Sequence, residues 1–233
     1  MVETVDLSGI WIPLITPLQA DAAAVDGAAT ARLVRHLAAQ GVAGFVVCGS
    51  TGEAAMLDPD EQQAVLATTL DAAQGRPVWM GLAGARPQRV AARAQQLADA
   101  CPGVAGFLLT APAYVKPSQA GIADFFQRVA DASPRPLIAY DIPARTGVRI
   151  EPRTLLALAD HPRIVAVKDC SGDRAAAEAL LADGRLALLA GNDDELFDQL
   201  ARGAVGGITA SAQVATPAFV DLQRRLAAGR LAQ

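Results

Sequence analysis

Lysine is nearly absent from this sequence of 233 residues. Its 20 basic residues include only two lysines, Lys116 and Lys168, and all the others are arginines. Arginine keeps its charge at every physiological pH, whereas a lysine can lose its proton when it is buried. A chain that uses arginine for almost every positive charge therefore indicates that a retained lysine serves as an amine that can become neutral.

Cysteine is also scarce, and its distribution excludes two kinds of site. Cys48, Cys101 and Cys170 are odd in number, far apart and set in apolar runs. That pattern fits neither a disulfide framework nor the closely paired cysteines of a zinc site. We therefore expect no disulfide framework and no metal ion.

Long apolar stretches and an excess of positive charge are lacking as well. No apolar run reaches the length of a membrane span without a glycine, a proline or a charge, and the N-terminus has no basic region followed by an apolar one. The net charge of −4 gives no electrostatic footprint for nucleic acid. These absences predict a cytoplasmic protein whose partners are small molecules, with no nucleic acid and no membrane among them.

What is present is a large apolar fraction, 52% of residues against 19% charged, which suits one compact domain over residues 1–233. Eight short, nearly continuous apolar runs predict parallel strands that are covered on both faces. The predicted strands are residues 9–15, 44–48, 78–82, 106–110, 137–141, 164–168, 187–190 and 206–210. Amphipathic segments predict helices over residues 29–40, 58–73, 87–100, 118–132, 151–159, 173–182, 193–202 and 216–228.

Strands and helices that alternate with short connections favour a closed (β/α)8 TIM barrel of the α/β class. A Rossmann-like open sheet is the alternative, but no GxGxxG motif follows an early strand. Catalytic groups of such barrels lie at the C-terminal ends of the strands. The unusual polar residues of this sequence do follow strands, as a catalytic face at that end requires.

Lys168 ends the apolar run Ile164-Val165-Ala166-Val167-Lys168. Burial in apolar surroundings disfavours the charged form of an amine and lowers its pKa. A neutral amine can attack a ketone and form an imine, which then acts as an electron sink. The alternative is a lysine that extends from a strand end to solvent or pairs with Asp169.

Two further segments carry candidate chemistry. Gly49-Ser50-Thr51-Gly52-Glu53 follows a strand, and its backbone N–H groups and hydroxyls form a candidate cradle for a carboxylate or phosphate. Its alternative is an ordinary turn with capping hydroxyls. Tyr140 and Asp141 end the fifth predicted strand, where the Tyr140 phenol can donate or accept a proton, and Arg145 offers a planar fork for a carboxylate. A core tyrosine and a surface arginine are the alternative readings.

In combination, these motifs resemble those of the dihydrodipicolinate synthase and N-acetylneuraminate lyase superfamily of class I aldolases, over essentially the whole chain. The motifs are Thr16-Pro17, Gly49-Ser50-Thr51-Gly52-Glu53, Pro117-Ser118-Gln119 with Gly121, the segment 140–147, Val167-Lys168-Asp169 and Gly206-Gly207-Ile208-Thr209. Their order along the chain makes the resemblance specific.

The resemblance implies roles for individual residues. Lys168 is the expected Schiff-base lysine for pyruvate, Tyr140 the proton donor and acceptor above it, and Ser50 its hydroxyl relay partner. Tyr114 is similar to the tyrosine that completes this relay from a neighbouring subunit. The expected substrate-binding residues are Thr51, Gly49, Gly207, Ile208 through its carbonyl, and Arg145.

The resemblance also implies a reaction. Arg145 in an Arg-Thr-Gly context is typical of the dihydrodipicolinate synthase branch, where it binds the carboxylate of L-aspartate semialdehyde. We thus expect a lyase that condenses pyruvate with this aldehyde, without a cofactor other than the covalent imine, as a homo-oligomer, either a dimer or a tetramer. A pyruvate-dependent aldolase acting on sugar acids, and a non-catalytic paralogue that binds a keto acid, remain alternatives.

Three features depart from the family pattern. Ala113 stands where a second tyrosine usually precedes the position of Tyr114. Asp141 replaces the usual asparagine beside the tyrosine of the site. The sequence also leaves room for little or no C-terminal helical extension after the eighth predicted helix.

Overall fold

The computed structural model describes residues 5–20 and 24–229, and these residues form a closed barrel. Each strand pairs in parallel with the next one along the chain, and the eighth pairs with the first. The predicted (β/α)8 fold is therefore confirmed. The strands are β1 (Gly9–Pro13), β2 (Gly44–Val47), β3 (Val78–Leu82), β4 (Val104–Thr110), β5 (Leu137–Asp141), β6 (Ile164–Asp169), β7 (Ala187–Ala190) and β8 (Gly206–Ile208).

Helices cover the outside of the barrel. In the described part of the chain they are α1 (Gly27–Ala39), α2 (Pro59–Ala72), α3 (Pro87–Ala100), α4 (Gln119–Ala132), α5 (Pro143–Thr146), α6 (Pro152–Leu158), α7 (Arg174–Asp183), α8 (Leu196–Arg202) and α9 (Thr216–Ala227). Helix α2 begins as its sequence predicts, with Asp58 and Glu61 forming a reciprocal capping box around Pro59. No helix within the described ranges is both long and apolar enough to cross a membrane.

Two predicted elements differ from the structure. The short helix α5 lies between the fifth predicted strand and the fifth predicted helix, where no helix is predicted; it begins at Pro143 and ends at Thr146, and it is followed by Gly147, which has a φ of 76°. Helix α8 begins at Leu196 and not at Asp193, because the Asp193 carboxylate accepts hydrogen bonds from the backbone N and the hydroxyl of Ser211. This contact holds Asp193 in the loop after β7.

Some predicted strand ends are also wrong by up to two residues. Strand β1 stops at Pro13, where its pairing with β2 ends, and β8 stops at Ile208. Strand β4 begins earlier than predicted, at Val104, which pairs with Val78. These shifts leave the C-terminal ends of β5 and β6 where the sequence places them, to within one residue.

Two tryptophans fill the interior of the barrel. Trp11 and Trp79 are each at most 1% exposed, and they pack with Val46, Leu108, Ile138, Leu189 and Ile208. Their indole rings have room because glycines face them. A Cβ atom on Gly44 would lie 2.3 Å from Cζ3 of Trp11, and one on Gly106 would lie 2.4 Å from Cζ3 of Trp79. The barrel is thus a packed core and not a pore.

Candidate active site

Lys168 and Tyr140 face each other at the C-terminal ends of β6 and β5. The two residues are partners in the strand register. Because side chains alternate between the two faces of a strand, partners in register point to the same side of the sheet. The Lys168 Nζ atom lies 4.3 Å from the centroid of the Tyr140 ring. The amine and the phenol are therefore brought together inside the mouth of the barrel.

The Lys168 side chain is buried, with 4% of its surface exposed. Burial, and to a smaller extent the charge of Arg145, lowers the pKa of this amine to about 8, although Cys170 and Asp193 act in the opposite direction. A neutral amine is consequently available close to physiological pH. The neutral form is the one that can attack a carbonyl carbon.

The phenol of Tyr140 is held in its protonated form. Burial and then Cys170 raise its pKa above the ordinary value of a tyrosine, and these effects exceed the lowering caused by the Ser50 hydroxyl and by the charge of Arg145. A protonated phenol beside an amine can donate a proton to a leaving hydroxyl group. Ser50 and Tyr140, which the sequence predicts as partners, are thus close together.

In the loop after β2, Gly52 is closely packed, whereas Gly49 faces open space. The Thr16 hydroxyl donates a hydrogen bond of 2.7 Å to the carbonyl oxygen of Gly52. A Cβ atom on Gly52 would lie 2.8 Å from the carbonyl oxygen of Leu14, whereas one on Gly49 would meet nothing within 4 Å. Open space therefore faces Gly49, beside the exposed Ser50 and the half-buried Thr51. An anion could bind there to the hydroxyls and backbone amides.

Arg145 lies on α5, directly after the strand that carries Tyr140. Its side chain is exposed, and its charge reaches both Lys168 and Tyr140, because it lowers the pKa of each. The guanidinium group is therefore close enough to the mouth of the barrel for its charge to act on both groups. It offers two parallel donors to a carboxylate that enters from solvent.

Tyr114 is the one predicted catalytic residue that the described chain leaves outside the cluster. Its side chain is 93% exposed, and its backbone N donates a hydrogen bond to the carbonyl oxygen of Thr146. Its φ of 70° is unusual for a residue with a side chain. The expected contact with the relay of a neighbouring subunit stays a prediction.

The two predicted substrate-binding residues of β8 point to opposite sides of the barrel wall. Ile208 is fully buried and packs in the interior cluster with Tyr140. Gly207 faces the helices, since a Cβ atom on it would lie 2.5 Å from Cδ1 of Leu196.

Sequence reasoning missed two features of this region. The Cys170 Sγ atom lies 3.8 Å from the Tyr140 hydroxyl. The alternation of side chains that places Lys168 in the barrel also favours an inward Cys170, two residues later, so a signal for this contact was present.

The second missed feature is a pair of buried carboxylates, Asp141 and Asp169, which are partners in register on β5 and β6. Asp141 accepts a hydrogen bond of 3.1 Å from the backbone N of Ile150, and Asp169 accepts one of 3.1 Å from the side chain of Gln199. Burial and then the nearby charge of Asp169 raise the pKa of Asp141 to about 6. Both residues alternate with the inward amine and phenol, so they lie on the helix side of the barrel wall.

Comparison with known proteins agrees with this arrangement. Residues 6–233 match the sequence profile of the Dihydrodipicolinate synthetase family. A 4-hydroxy-tetrahydrodipicolinate synthase from Acidothermus cellulolyticus is 42% identical over 194 residues, which are 83% of this chain and 62% of that protein. One from Mycolicibacterium paratuberculosis is 38% identical over 228 residues, which are 97% of this chain and 75% of that protein. The chain thus matches between about three fifths and three quarters of the length of these relatives.

A solved structure shows the same fold with a ligand. The chloride-inhibited dihydrodipicolinate synthase from Acinetobacter baumannii, crystallised in complex with pyruvate, superposes with a TM-score of 0.91 at 30% sequence identity. The match covers 95% of this chain and 76% of that one. With a family profile that spans almost the whole sequence and relatives of this similarity, the chain belongs to the dihydrodipicolinate synthetase family.

Proposed function

We propose that this protein forms an imine between Lys168 and pyruvate and condenses the resulting enamine with L-aspartate semialdehyde. The observation that carries the proposal is the buried amine with a pKa of about 8, set 4.3 Å from the ring centroid of a protonated phenol. Family membership supports it, because the curated relatives are 4-hydroxy-tetrahydrodipicolinate synthases.

The geometry supports a sequence of proton-coupled steps. The neutral Lys168 amine attacks the ketone carbon of pyruvate, and the carbinolamine loses water when Tyr140 protonates its hydroxyl group. Loss of a proton from the methyl carbon of the imine to the phenolate then gives the enamine. Its carbon attacks the aldehyde and forms the new carbon–carbon bond. The protonated imine accepts the electron pair of the methyl C–H bond, the enamine passes that pair to the aldehyde, and the aldehyde oxygen takes a proton from the Tyr140 phenol, so these steps need no metal ion or organic cofactor.

Binding of the two substrates is assigned to different sides of the pocket. We assign the pyruvate carboxylate to the open loop with Gly49, Ser50 and Thr51, where two hydroxyls and backbone amides are available. The carboxylate of the aldehyde is assigned to Arg145 at the rim, whose planar fork suits it.

Assembly and location are parts of the same proposal. The exposed Tyr114 and its neighbour Val115, 58% exposed, fit a contact between copies of the chain, and we propose that the protein is a homo-oligomer. The cysteines of the described residues are free thiols, which favours a reducing compartment such as the cytoplasm.

The scarcity of lysine makes the imine simple to test. The protein is incubated with pyruvate, reduced with borohydride and analysed by peptide mass spectrometry. We expect an adduct on the peptide containing Lys168, lost in Lys168→Ala and retained in Lys116→Ala, the matched control at the other lysine. An adduct that persists in Lys168→Ala would show that the amine is wrongly assigned.

The acceptor needs a separate assay. Wild-type protein is supplied with pyruvate and either L-aspartate semialdehyde or N-acetylmannosamine, and loss of pyruvate is followed. Turnover with L-aspartate semialdehyde alone is the expected result. Turnover with the sugar alone would contradict the proposal and indicate a sugar-acid aldolase.

A further inference from the structure

Cys170 is held against the end of the strand that carries Tyr140. Its backbone N donates a hydrogen bond of 2.8 Å to the carbonyl oxygen of Asp141. Its Sγ atom lies 3.8 Å from the Tyr140 hydroxyl, within the range of hydrogen bonds to sulfur. The thiol is therefore a polar neighbour of the phenol hydroxyl, and it belongs to the same chain.

The position of this sulfur atom is restricted by a glycine of another segment. A Cβ atom on Gly191 would lie 2.3 Å from the Cys170 Sγ atom and 2.7 Å from the carbonyl oxygen of Asp169. The Gly191 backbone N donates a hydrogen bond of 2.8 Å to that same carbonyl oxygen. The glycine thus leaves just enough space for the thiol, and the adjacent backbone hydrogen bonds keep that space in place.

Cys170 differs from the other two cysteines in what it contacts. Cys48 and Cys101 are buried in the large cluster between the strands and the helices. Cys170 is half-buried and packs against the interior cluster that contains Tyr140. The hydroxyl of Tyr140 consequently has the Ser50 hydroxyl and the Cys170 thiol as polar neighbours.

We propose that Cys170 is a positioning residue, whose thiol orients the Tyr140 hydroxyl for proton transfer to and from the methyl carbon of the pyruvate imine. A phenol hydroxyl rotates about its C–O bond, and a partner on each side fixes the direction of its proton and of its lone pairs. Cys170 forms no covalent bond with substrate in this role. The inference rests on the proposed function, because it requires that Tyr140 is the proton donor and acceptor.

The test uses a half-reaction that needs no aldehyde. Wild-type protein and variants are incubated with pyruvate in deuterium oxide, and deuterium incorporation into the methyl group is followed by NMR. Loss of one hydrogen bond to the phenol predicts that Cys170→Ala exchanges about fivefold more slowly. Borohydride should trap the same amount of imine as in the wild type, because imine content does not depend on the exchange rate. Cys170→Ser, which keeps a hydrogen-bond donor, should exchange faster than Cys170→Ala, and Cys101→Ala is the matched control, expected at the wild-type rate.

The same substitution in a protein that lacks the phenol hydroxyl shows whether Cys170 acts through Tyr140. In Tyr140→Phe protein, adding Cys170→Ala should cause no further loss of exchange. A further fivefold loss there, or a wild-type rate in Cys170→Ala alone, would overturn the inference while leaving imine formation intact. Absence of trapped imine in the wild type would instead overturn the proposed function. Cys170→Val, which also lacks a donor, takes the place of the alanine variant if the latter does not fold.

Discussion

Replacing Asp141 by asparagine should stabilise the protein at neutral pH. Asp141 is 2% exposed, and burial together with Asp169 raises its pKa from 3.8 to about 6. A carboxyl group whose pKa is raised by folding favours the folded state when it is protonated. Stability is therefore lost as the pH rises from about 4 to about 6, where the folded protein must give up a proton that the unfolded chain has already released. Each pKa unit corresponds to about 1.4 kcal/mol, so the ionised group costs up to about 3 kcal/mol at pH 7.

Asparagine removes this cost and keeps the useful contact, since its side-chain oxygen can accept the hydrogen bond from Ile150. Urea denaturation should show an Asp141→Asn gain of about 2 to 3 kcal/mol at pH 7.5 and little gain at pH 4. Asp71→Asn, at an exposed carboxylate on α2, is the control and should change stability by less than about 0.5 kcal/mol at both pH values. A gain of equal size at pH 4 and pH 7.5, or no gain at pH 7.5, would refute the electrostatic reasoning.

Three other predictions concern the site and the barrel interior. The rate of imine formation with pyruvate should rise with pH and level off above about pH 8, because the neutral Lys168 amine is the nucleophile. Borohydride trapping at short times measures this rate, and a rise that continues to pH 10 would contradict the prediction. Arg145→Ala should lower kcat/KM for L-aspartate semialdehyde by about 10- to 100-fold, the usual value of a charge-assisted hydrogen bond, while pyruvate is still trapped on Lys168. Gly44→Ala should lower the free energy of unfolding by about 2 to 3 kcal/mol, since its methyl group would overlap the Trp11 ring, whereas Gly49→Ala, which meets nothing, should be neutral in the same urea titration.

The features that the sequence predicts well are those that depend on a local pattern of apolar and polar residues. Lys168 and Tyr140 each end an apolar run, and the barrel rule places strand ends on one face, so the sequence predicts that both residues lie at the same end of the barrel. Helix α5 was missed because the four residues Pro143–Thr146 are too few to show a helical period. The start of α8 was misplaced because Asp193 resembles a helix cap, whereas its partner, Ser211, is distant in sequence.

Other features depend on strand register, which the sequence does not reveal. The pairing of β5 with β6 contains an irregularity between Leu137 and Ile138, and the alignment of Asp141 with Asp169 follows from it. The contact of Cys170 with Tyr140 likewise requires that Gly191, on the segment after β7, leaves space for the sulfur atom. Each of these contacts joins segments whose relative position is fixed only when the barrel closes.

The stability that the protein loses when Asp141 ionises is connected to the position of Arg145. The hydrogen bond from the Ile150 backbone N to Asp141 joins the end of β5 to the residue that follows α5 and its turn. This bond joins the two ends of the segment 141–150, which carries Arg145. Within that segment, the Thr146 hydroxyl donates a further hydrogen bond of 2.7 Å to the carbonyl oxygen of Val148. A side chain at position 141 must therefore be an acceptor on the helix side of the wall while its neighbour Tyr140 points into the barrel. Aspartate meets that requirement at the expense of stability, and an apolar residue there would leave the Ile150 amide without a partner and release the segment that positions the guanidinium group.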